Sequence, residues 1–352
     1  MDFKEYIEQK RSLIKDNLSL FMEAQGKEDL PAIFKEQKLI DALRDFALRG
    51  KLIRGTLFIL ICESLGVKID KPILNIACAI ELMHSALLVQ DDIIDRDRKR
   101  RGAMTVFARY EKEGEEIGAF DPYHYGISTG IVVADVAFFF ALELMSEYSD
   151  LKLSKLLKFY SHEVYYVAVA ESVDSIFGQT EREPEKEDIY AVYKYKTARY
   201  TFSLPFEMAA IVGGADTKTR ETLNRLGEQA GLIFQLKDDE IGLFGEEEVI
   251  GKPVGSDIRE NKKTVIRSLL FQAANLDDRI ILNECFGNPD AGDDEITKVK
   301  NLYEKYGIKS KIESEVSGIM TTVWNDFADL NIIDEPKRIL KGLLEFNLTR
   351  SK

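Results

Sequence analysis

Apolar residues recur along this 352-residue chain at steps of three and four, the spacing of one face of an α-helix. The pattern begins with Phe3, Tyr6 and Ile7 and returns throughout the chain. Further periodic segments cover residues 36–65, 72–95, 127–147, 151–178, 187–212, 217–244, 263–275, 294–306, 309–327 and 335–347. Alternating patterns bounded by hairpin turns, which would indicate strands, are not evident. The pattern therefore predicts an all-α protein.

The helical segments follow one another without a recognisable linker, because the chain has only eight prolines and few long polar tracts. This predicts a single domain over residues 1–352, a large helical bundle packed around a central cavity. Residues 111–125, rich in glutamate and glycine, are predicted to form the clearest loop.

The composition is that of a globular protein, with 45% hydrophobic and 31% charged residues. A net charge of -13 argues against nucleic-acid binding, which needs a basic surface. Three scattered cysteines, Cys62, Cys78 and Cys285, indicate buried thiols in a reducing compartment. The charged start and the interrupted apolar run from Ile131 to Met145 predict a cytoplasmic protein without a transmembrane segment.

Two clusters of aspartate stand at the polar ends of apolar, helix-like runs. The first contains Asp91, Asp92 and Asp95, and the second contains Asp238 and Asp239. Like charges four residues apart on a helix repel each other unless a cation lies between them. Magnesium takes carboxylate oxygens and keeps open positions for substrate phosphates. The clusters therefore predict two walls of one magnesium-diphosphate site.

Basic residues accompany the first cluster. Arg100 and Arg101 follow it directly, and guanidinium groups bind phosphate oxygens with two hydrogen bonds. His84 lies seven residues before Asp91, two helical turns away, which makes it a candidate phosphate donor. Read alone, the arginines would more often be a solvated surface run and His84 a structural histidine.

A second basic element lies near residue 50. Lys51 and Arg54 are three residues apart, and on a helix they would point the same way. Gly50 and Gly55 are predicted to let the backbone approach a ligand closely. By itself this element is more often the start of a surface helix.

The downstream candidates are Lys196, Thr197, Gln235, Lys252 and Lys262. Gln235 is three residues before Asp238 and is predicted to lie on the same side of its helix. The glycines around Lys252 suggest a loop folded over phosphates.

Taken in order, these motifs resemble those of the trans-isoprenyl diphosphate synthases over about residues 45–265. Gly242, which stands where many members have a third aspartate, is similar to the archaeal-type branch. The chain departs from the family pattern at Arg49, Gly55 and Met104, and none of these changes removes a proposed charge or ligand.

The resemblance implies the isoprenoid synthase fold and head-to-tail condensation of isopentenyl diphosphate with an allylic diphosphate. It implies several magnesium ions bound by Asp91, Asp95 and Asp238, with support from Asp92 and Asp239. The allylic diphosphate would be stabilised by Arg100, Lys196 and Lys252, and Lys262 would close over it. Isopentenyl diphosphate would be held by Lys51, Arg54, His84 and Arg101. Thr197 and Gln235 would face the allylic cation, and a homodimer is expected.

Product length depends, in this family, on what closes the hydrophobic tunnel beyond the first cluster. The fifth residue before Asp91 is Ala86, which is small, and Met83 is eight before. Geranylgeranyl diphosphate is the central expectation, and a farnesylgeranyl or hexaprenyl product is the alternative. Aromatic residues that could close the tunnel lower down are Phe138, Phe139, Phe140, Tyr165 and Tyr166.

Two rival functions stay open at this point. A terpene cyclase shares the fold and the first cluster, but it does not need Lys51, Arg54 and His84 as a second diphosphate pocket. A non-catalytic partner subunit would tolerate the loss of either aspartate cluster, and both clusters are intact.

Overall fold

The computed structural model describes residues 2–27, 31, 38–245 and 254–349, where almost every regular element is a helix. The all-α prediction is confirmed. The chain divides into two compact units, which are described separately. The first contains Met1–Leu156, Ile211–Gly213 and Ile333–Leu340, and the second contains Leu157–Ala210, Gly214–Ile332 and Lys341–Lys352. The single domain over residues 1–352 stays a prediction.

The first unit is built from helices and one small hairpin. Its helices are α1 (Phe3–Gln25), α2 (Leu39–Leu48), α3 (Ile53–Ser64), α4 (Lys71–Ile94), α5 (Val106–Ile117) and α6 (Pro122–Ser146). Strands β1 (Lys99–Arg100) and β2 (Ala103–Met104) pair antiparallel between α4 and α5. Helix α4 packs against α1, α3 and α6 and forms the centre of this unit.

The position of α4 follows from its cap and from close packing at its end. Asp70 accepts a hydrogen bond from the backbone nitrogen of Ile73 at 3.2 Å, which satisfies one of the donors at the helix start. At the other end, a Cβ atom on Gly130 of α6 would lie 2.8 Å from the side chain of Ile93. Because residue 130 has no side chain, α6 fixes the end of α4 that carries the first aspartate cluster.

The second unit surrounds a long helix, α10. Its elements are α8 (Lys186–Val192), the π-helix π1 (Tyr193–Ser203), α10 (Thr217–Phe244), α11 (Ser256–Arg259), α12 (Val265–Ala273), α13 (Leu276–Cys285), α14 (Asp293–Lys305) and α15 (Ile308–Asp329). Three further helices have residues in both units: α7 (Leu153–Gln179), α9 (Leu204–Gly213) and α16 (Asp334–Thr349). Helix α10 packs against π1 and α15.

The π-helix replaces the middle of one predicted helix. The apolar spacing predicts a continuous helix over residues 187–212, and the structure divides this stretch into α8, π1 and α9. Helix α10 reaches the backbone of π1 directly: a Cβ atom on Gly231 would lie 2.3 Å from the Cα atom of Ala198. On Gly227 it would lie 2.8 Å from the Cα atom of Ser203. Two glycines one turn apart on α10 therefore leave room for the wider turns of π1.

The loop predicted over residues 111–125 is wrong. Helix α5 continues to Ile117 and α6 begins at Pro122. Phe107, Tyr110 and Gly114 are buried at steps of three and four, while the glutamates of α5 lie mainly on its other side. The sequence interpretation gave weight to the charge of this segment and overlooked its amphipathic spacing.

Three smaller features also differ from expectation. The segment 36–65 is interrupted after α2, because Leu52 adopts a left-handed conformation with φ 51° and α3 begins at the next residue. Helix α13 was not predicted. The hairpin was not predicted either, because strands of two residues carry no alternating pattern; Arg101 and Gly102 form its turn at φ 54° and 71°.

Among the residues that the structure describes, two helices, α4 and α6, are long and apolar enough to cross a bilayer by length and composition. The sequence interpretation counted a shorter apolar stretch in α6 than the helix contains. Helix α4 is mostly buried within the protein, as core helices of globular proteins are, whereas α6 is less than half buried. The absence of a transmembrane segment stays a prediction.

Cys62, Cys78 and Cys285 are buried free thiols, as expected.

Candidate active site

The first aspartate cluster lies at the end of α4 and is folded against the hairpin. Arg100 on β1 donates from Nη2 to Asp91 at 2.8 Å and from Nε to Asp92, and Asp97 lies 3.6 Å from the same guanidinium. Asp92 is fully buried, whereas Asp91 and Asp95 are partly exposed. Burial alone would lower the pKa of Arg100, but the three carboxylates raise it. Arg100 therefore stays charged and holds Asp91 and Asp92 in place.

The donor set of this cluster fits magnesium. Asp91 and Asp95 present carboxylate oxygens four residues apart at a helix end, and such oxygens are the ligands that magnesium prefers. Within the described ranges, no three or more His, Cys, Asp or Glu side chains are already arranged as a metal site.

Three of the predicted isopentenyl diphosphate residues, Arg54, His84 and Arg101, come together in the same unit. A Cβ atom on Gly50 would lie 3.1 Å from Nη1 of Arg101, so the hairpin turn reaches the segment before α3. Burial lowers the pKa of the His84 ring well below its usual value, and three positive charges lower it further: Arg54, Arg101 and Arg100. Burial, followed by the charge of Arg100, lowers the pKa of Arg101 to about 10. His84 is therefore neutral and lies among guanidinium groups.

Two sequence arguments about this region are wrong. Lys51 precedes the left-handed residue Leu52 and is not part of α3, so the helical spacing with Arg54 does not apply. The glycine at position 55 makes room for α4 instead: a Cβ atom there would lie 2.8 Å from the carbonyl oxygen of Ala77. Gly50 faces the side chain of Arg101 in this structure.

Left-handed backbone marks the same segments. Five non-glycine residues in the described part of the chain have positive φ. One of them, Arg101, is a predicted site residue, and three others are next to one: Leu52, Arg96 and Asn261. Such conformations cost about 1–3 kcal/mol each and are kept where the surrounding structure imposes them, often at functional sites.

The second aspartate cluster lies on α10 in the other unit, and its two members differ. Asp238 is exposed, whereas Asp239 is buried and accepts hydrogen bonds from the hydroxyl of Tyr193 and from Nε2 of Gln235, the latter at 2.8 Å. Burial raises the pKa of Asp239 well above its usual value, and the nearby carboxylate of Asp257 raises it further. Gln235 thus contacts Asp239, although its spacing to Asp238 was the feature noted in the sequence.

The basic residues of this unit have acidic partners. Lys196 in π1 lies 2.9 Å from Glu171 and 2.7 Å from Asp174, both on α7. Lys262 lies 3.1 Å from Glu260. Thr197 is half-buried beside Lys196, and Lys252 lies outside the described residues.

Asp257 is an acidic residue of this site to which the sequence interpretation gave no role. A Cβ atom on Gly242 would lie 3.5 Å from Oδ2 of Asp257, so this carboxylate faces the place of the absent third aspartate. Asp239, Gly242, Asp257 and Thr264 line one small pocket. The available signal was an acidic residue five positions before Lys262, but its position in the sequence does not reveal that it faces α10.

Comparison with known proteins identifies the family of this chain. Residues 36–305 match the family model for polyprenyl synthetase. The chain belongs to the polyprenyl synthetase family.

Two curated relatives and one solved structure match most of the chain. A geranylgeranyl diphosphate synthase of Sulfolobus acidocaldarius is 25% identical over 311 residues, which are 87% of this chain and 89% of that protein. A short chain isoprenyl diphosphate synthase of Methanocaldococcus jannaschii is 30% identical over 319 residues, 90% of each chain. A crystal structure of a geranylgeranyl pyrophosphate synthase from Corynebacterium glutamicum, complexed with isoprenyl diphosphate and magnesium, matches with a TM-score of 0.91 at 26% identity. It covers 99% of this chain and 100% of that one.

These comparisons confirm the predicted family, the isoprenoid synthase fold and the enzyme class, a prenyl diphosphate synthase among the transferases. They favour this class over a terpene cyclase. The roles of individual site residues stay predictions, including the prediction that both aspartate clusters hold one diphosphate.

Proposed function

We propose that this chain is a magnesium-dependent prenyltransferase that condenses isopentenyl diphosphate head-to-tail with an allylic diphosphate to give all-trans geranylgeranyl diphosphate. The observation that carries the proposal is that one unit contains two ways to bind a diphosphate, one through a metal ion and one through basic side chains. An acidic helix end suited to magnesium lies beside a cluster formed by His84, Arg54 and Arg101. A cyclase needs the first of these and not the second.

In this proposal, magnesium is held by Asp91, Asp95 and Asp238, with Asp92 and Asp239 in support. When bound, magnesium neutralises the allylic diphosphate and stabilises the charge that develops as it leaves. Arg100 orients Asp91 and Asp92 through its two hydrogen bonds. Its contact with phosphate would be made from this anchored position, and Lys252 and Lys262 would add positive charge from further along the chain.

Isopentenyl diphosphate would be bound by Lys51, Arg54, Arg101 and His84. Because the pKa of His84 is far below its usual value, its ring is neutral and donates one hydrogen bond without adding charge. The positive charge comes from the guanidinium groups, which suit phosphate oxygens.

The residues of π1 and α10 would shape the surroundings of the allylic cation. The amide nitrogen of Gln235 donates to Asp239, so its amide oxygen is directed the other way. That oxygen and Thr197 would supply dipoles for positive charge. Lys196, anchored by Glu171 and Asp174, would stabilise the leaving diphosphate. The new bond forms when the alkene of isopentenyl diphosphate attacks the cation, and the released diphosphate takes the proton.

A single assay tests the proposed function. The purified chain is incubated with magnesium, an allylic diphosphate and labelled isopentenyl diphosphate, with a chelator in the control. We expect labelled prenyl diphosphates that disappear with the chelator. Conversion of the allylic diphosphate without label in the product would indicate a cyclase instead. Activity that requires a second synthase would indicate a partner subunit.

Product length is predicted to depend on Ala86, which is fully buried in α4. Substitution Ala86→Phe places a ring in the proposed tunnel, and we expect products shorter by at least one isoprene unit in chromatograms of the reaction. Ala86→Ser is the control of similar size and should keep the wild-type products. Unchanged lengths with Phe would reject the tunnel argument at this position.

The deeper aromatics are unequal candidates for closing the tunnel. Phe139 and Tyr165 are 68% and 61% exposed, so neither closes a buried channel within its own chain. Phe138 and Phe140 are half-buried, and Phe140 packs edge-on against Phe21 at 5.5 Å. Phe138 and Phe140 are therefore the stronger candidates of the set.

A homodimer is proposed on the exposed face of α6. Four apolar side chains there are 41–68% exposed: Ile131, Val132, Phe139 and Leu142. Asp135 and Glu143 are exposed on the same helix. Clustered exposed apolar side chains are typical of a protein or membrane contact, and a second copy of the chain is the proposed occupant. Sedimentation equilibrium measures the oligomeric state directly, and a monomer at micromolar concentration would contradict the proposed homodimer.

The cytoplasmic location stays a prediction that cell fractionation would test.

A further inference from the structure

Glu81 is a buried carboxylate that the proposed reaction does not use. It lies on α4, one turn before His84, and is 2% exposed. A buried carboxylate is costly unless hydrogen bonds and positive charges compensate for the loss of water. Its surroundings therefore indicate what it does.

The carboxylate of Glu81 caps the start of α3. Its Oε1 accepts a hydrogen bond from the backbone nitrogen of Gly55 at 2.6 Å, and the backbone nitrogen of Arg54 also donates to it. These amides belong to the first turn of α3, where no earlier carbonyl is available, and the residue before the helix, Leu52, supplies no side-chain cap.

The close approach requires glycine at position 55. A Cβ atom there would lie 3.2 Å from Cγ of Glu81 and 2.8 Å from the carbonyl oxygen of Ala77. Residue 55 thus brings the positive end of α3 onto the carboxylate, and Arg54 is carried with it.

The charges of the pocket also converge on Glu81. Burial raises the pKa of Glu81, and the hydrogen bond from the backbone nitrogen of Gly55 opposes that rise, followed by the guanidinium charges of Arg54 and Arg101. Each of these arginines also lowers the pKa of His84. In addition, Arg54 lowers the pKa of Arg101, whereas Glu81 raises it. The two guanidinium groups repel each other, and Glu81 offsets that repulsion.

We propose that Glu81 is a positioning residue for isopentenyl diphosphate. It serves as a fixed countercharge that caps α3 and holds Arg54 and Arg101 ready for one diphosphate before the substrate arrives. This inference rests on the proposed function. A preformed pair of arginines loses little freedom on binding, which favours affinity for the substrate.

The test is Glu81→Gln, which keeps the size and a carbonyl acceptor for Gly55 but removes the charge. We expect the KM for isopentenyl diphosphate to rise about tenfold, the effect of losing one charge-assisted interaction. The KM for the allylic diphosphate should change less than about twofold, because Glu81 neighbours the isopentenyl residues. A merely structural role would lower the thermal midpoint and leave both KM values alone.

The matched control is Glu207→Gln in the second unit. Glu207 is a buried carboxylate paired with Arg220 through a 2.8 Å hydrogen bond, and no part of the proposed mechanism uses it. We expect it to lower the thermal midpoint without separating the two KM values. If Glu81→Gln does not fold, Glu81→Asp keeps the charge and withdraws the carboxylate from Gly55. The same selective rise in KM is then expected from Glu81→Asp.

Equal rises in both KM values, or none, would overturn the role of Glu81 while the wild type still condenses its substrates. Failure of the wild type to incorporate isopentenyl diphosphate at all would instead overturn the proposed function.

Discussion

Asp91→Ala is expected to lower the turnover number for condensation by about a thousandfold, the effect of removing a group that stabilises charge in the transition state. Asp91 is the partly exposed member of the pair held by Arg100 and is predicted to bind magnesium directly. Arg100 keeps its hydrogen bond to the buried Asp92 in the variant, so the hairpin should stay anchored to α4. Steady-state assays over a magnesium series would measure both the turnover number and the magnesium requirement.

The control for this prediction is Asp45→Ala. Asp45 is also an aspartate paired with an arginine, Arg109, but the pair is exposed and its atoms are 3.4 Å apart. Exposed pairs contribute about 0–1 kcal/mol to stability, and turnover should be unchanged. Near-normal condensation by Asp91→Ala would contradict the assignment of the first cluster to the diphosphate site.

Gly231→Ala is expected to lower the free energy of unfolding by about 3 kcal/mol, the upper range for overpacking in a core. The added Cβ atom would lie 2.3 Å from Cα and 2.6 Å from Cβ of Ala198 in π1. Because the contact is to backbone, π1 must shift, and Thr197 and Lys196 shift with it. Turnover should therefore fall as well. Denaturant unfolding and steady-state kinetics measure the two effects.

Gly318→Ala is the matched control on another helix of the same unit, α15. No atom outside its local surroundings lies within 4 Å of the new Cβ atom. Alanine in a helix is favoured over glycine by about 0.5–1 kcal/mol, so stability should rise slightly or stay unchanged. A Gly231→Ala variant as stable as this control would show that the packing of α10 on π1 does not constrain the segment.

The helices and the candidate ligands could be predicted because both depend on local sequence. Helix α10 spans Thr217–Phe244, the range given by its apolar spacing, and α4 ends beside its aspartates as expected. The wrong loop over residues 111–125 shows the limit of composition as evidence. Its charges lie mainly on one side of α5, and only the spacing of Phe107, Tyr110 and Gly114 indicates the buried side.

The partners of the site residues could not be predicted, because they come from elements far apart in the chain. Nothing local in the sequence indicates that Lys196 pairs with Asp174, or that Asp257 faces Gly242. The role of Gly55 was predicted wrongly for the same reason. A glycine signals close approach, but the sequence does not say what approaches it.

The sequence alone determined the helical class, the family and the inventory of carboxylates and cations, since periodicity and motif order are properties of the chain itself. The tertiary structure decided which of those charges compensate one another: Arg100 with Asp91 and Asp92, and Glu81 with Arg54 and Arg101. It also decided that π1 replaces a regular helix where Gly231 meets Ala198. Electrostatic compensation and close packing depend on distance in space, and packing of the helices, rather than separation along the chain, sets that distance.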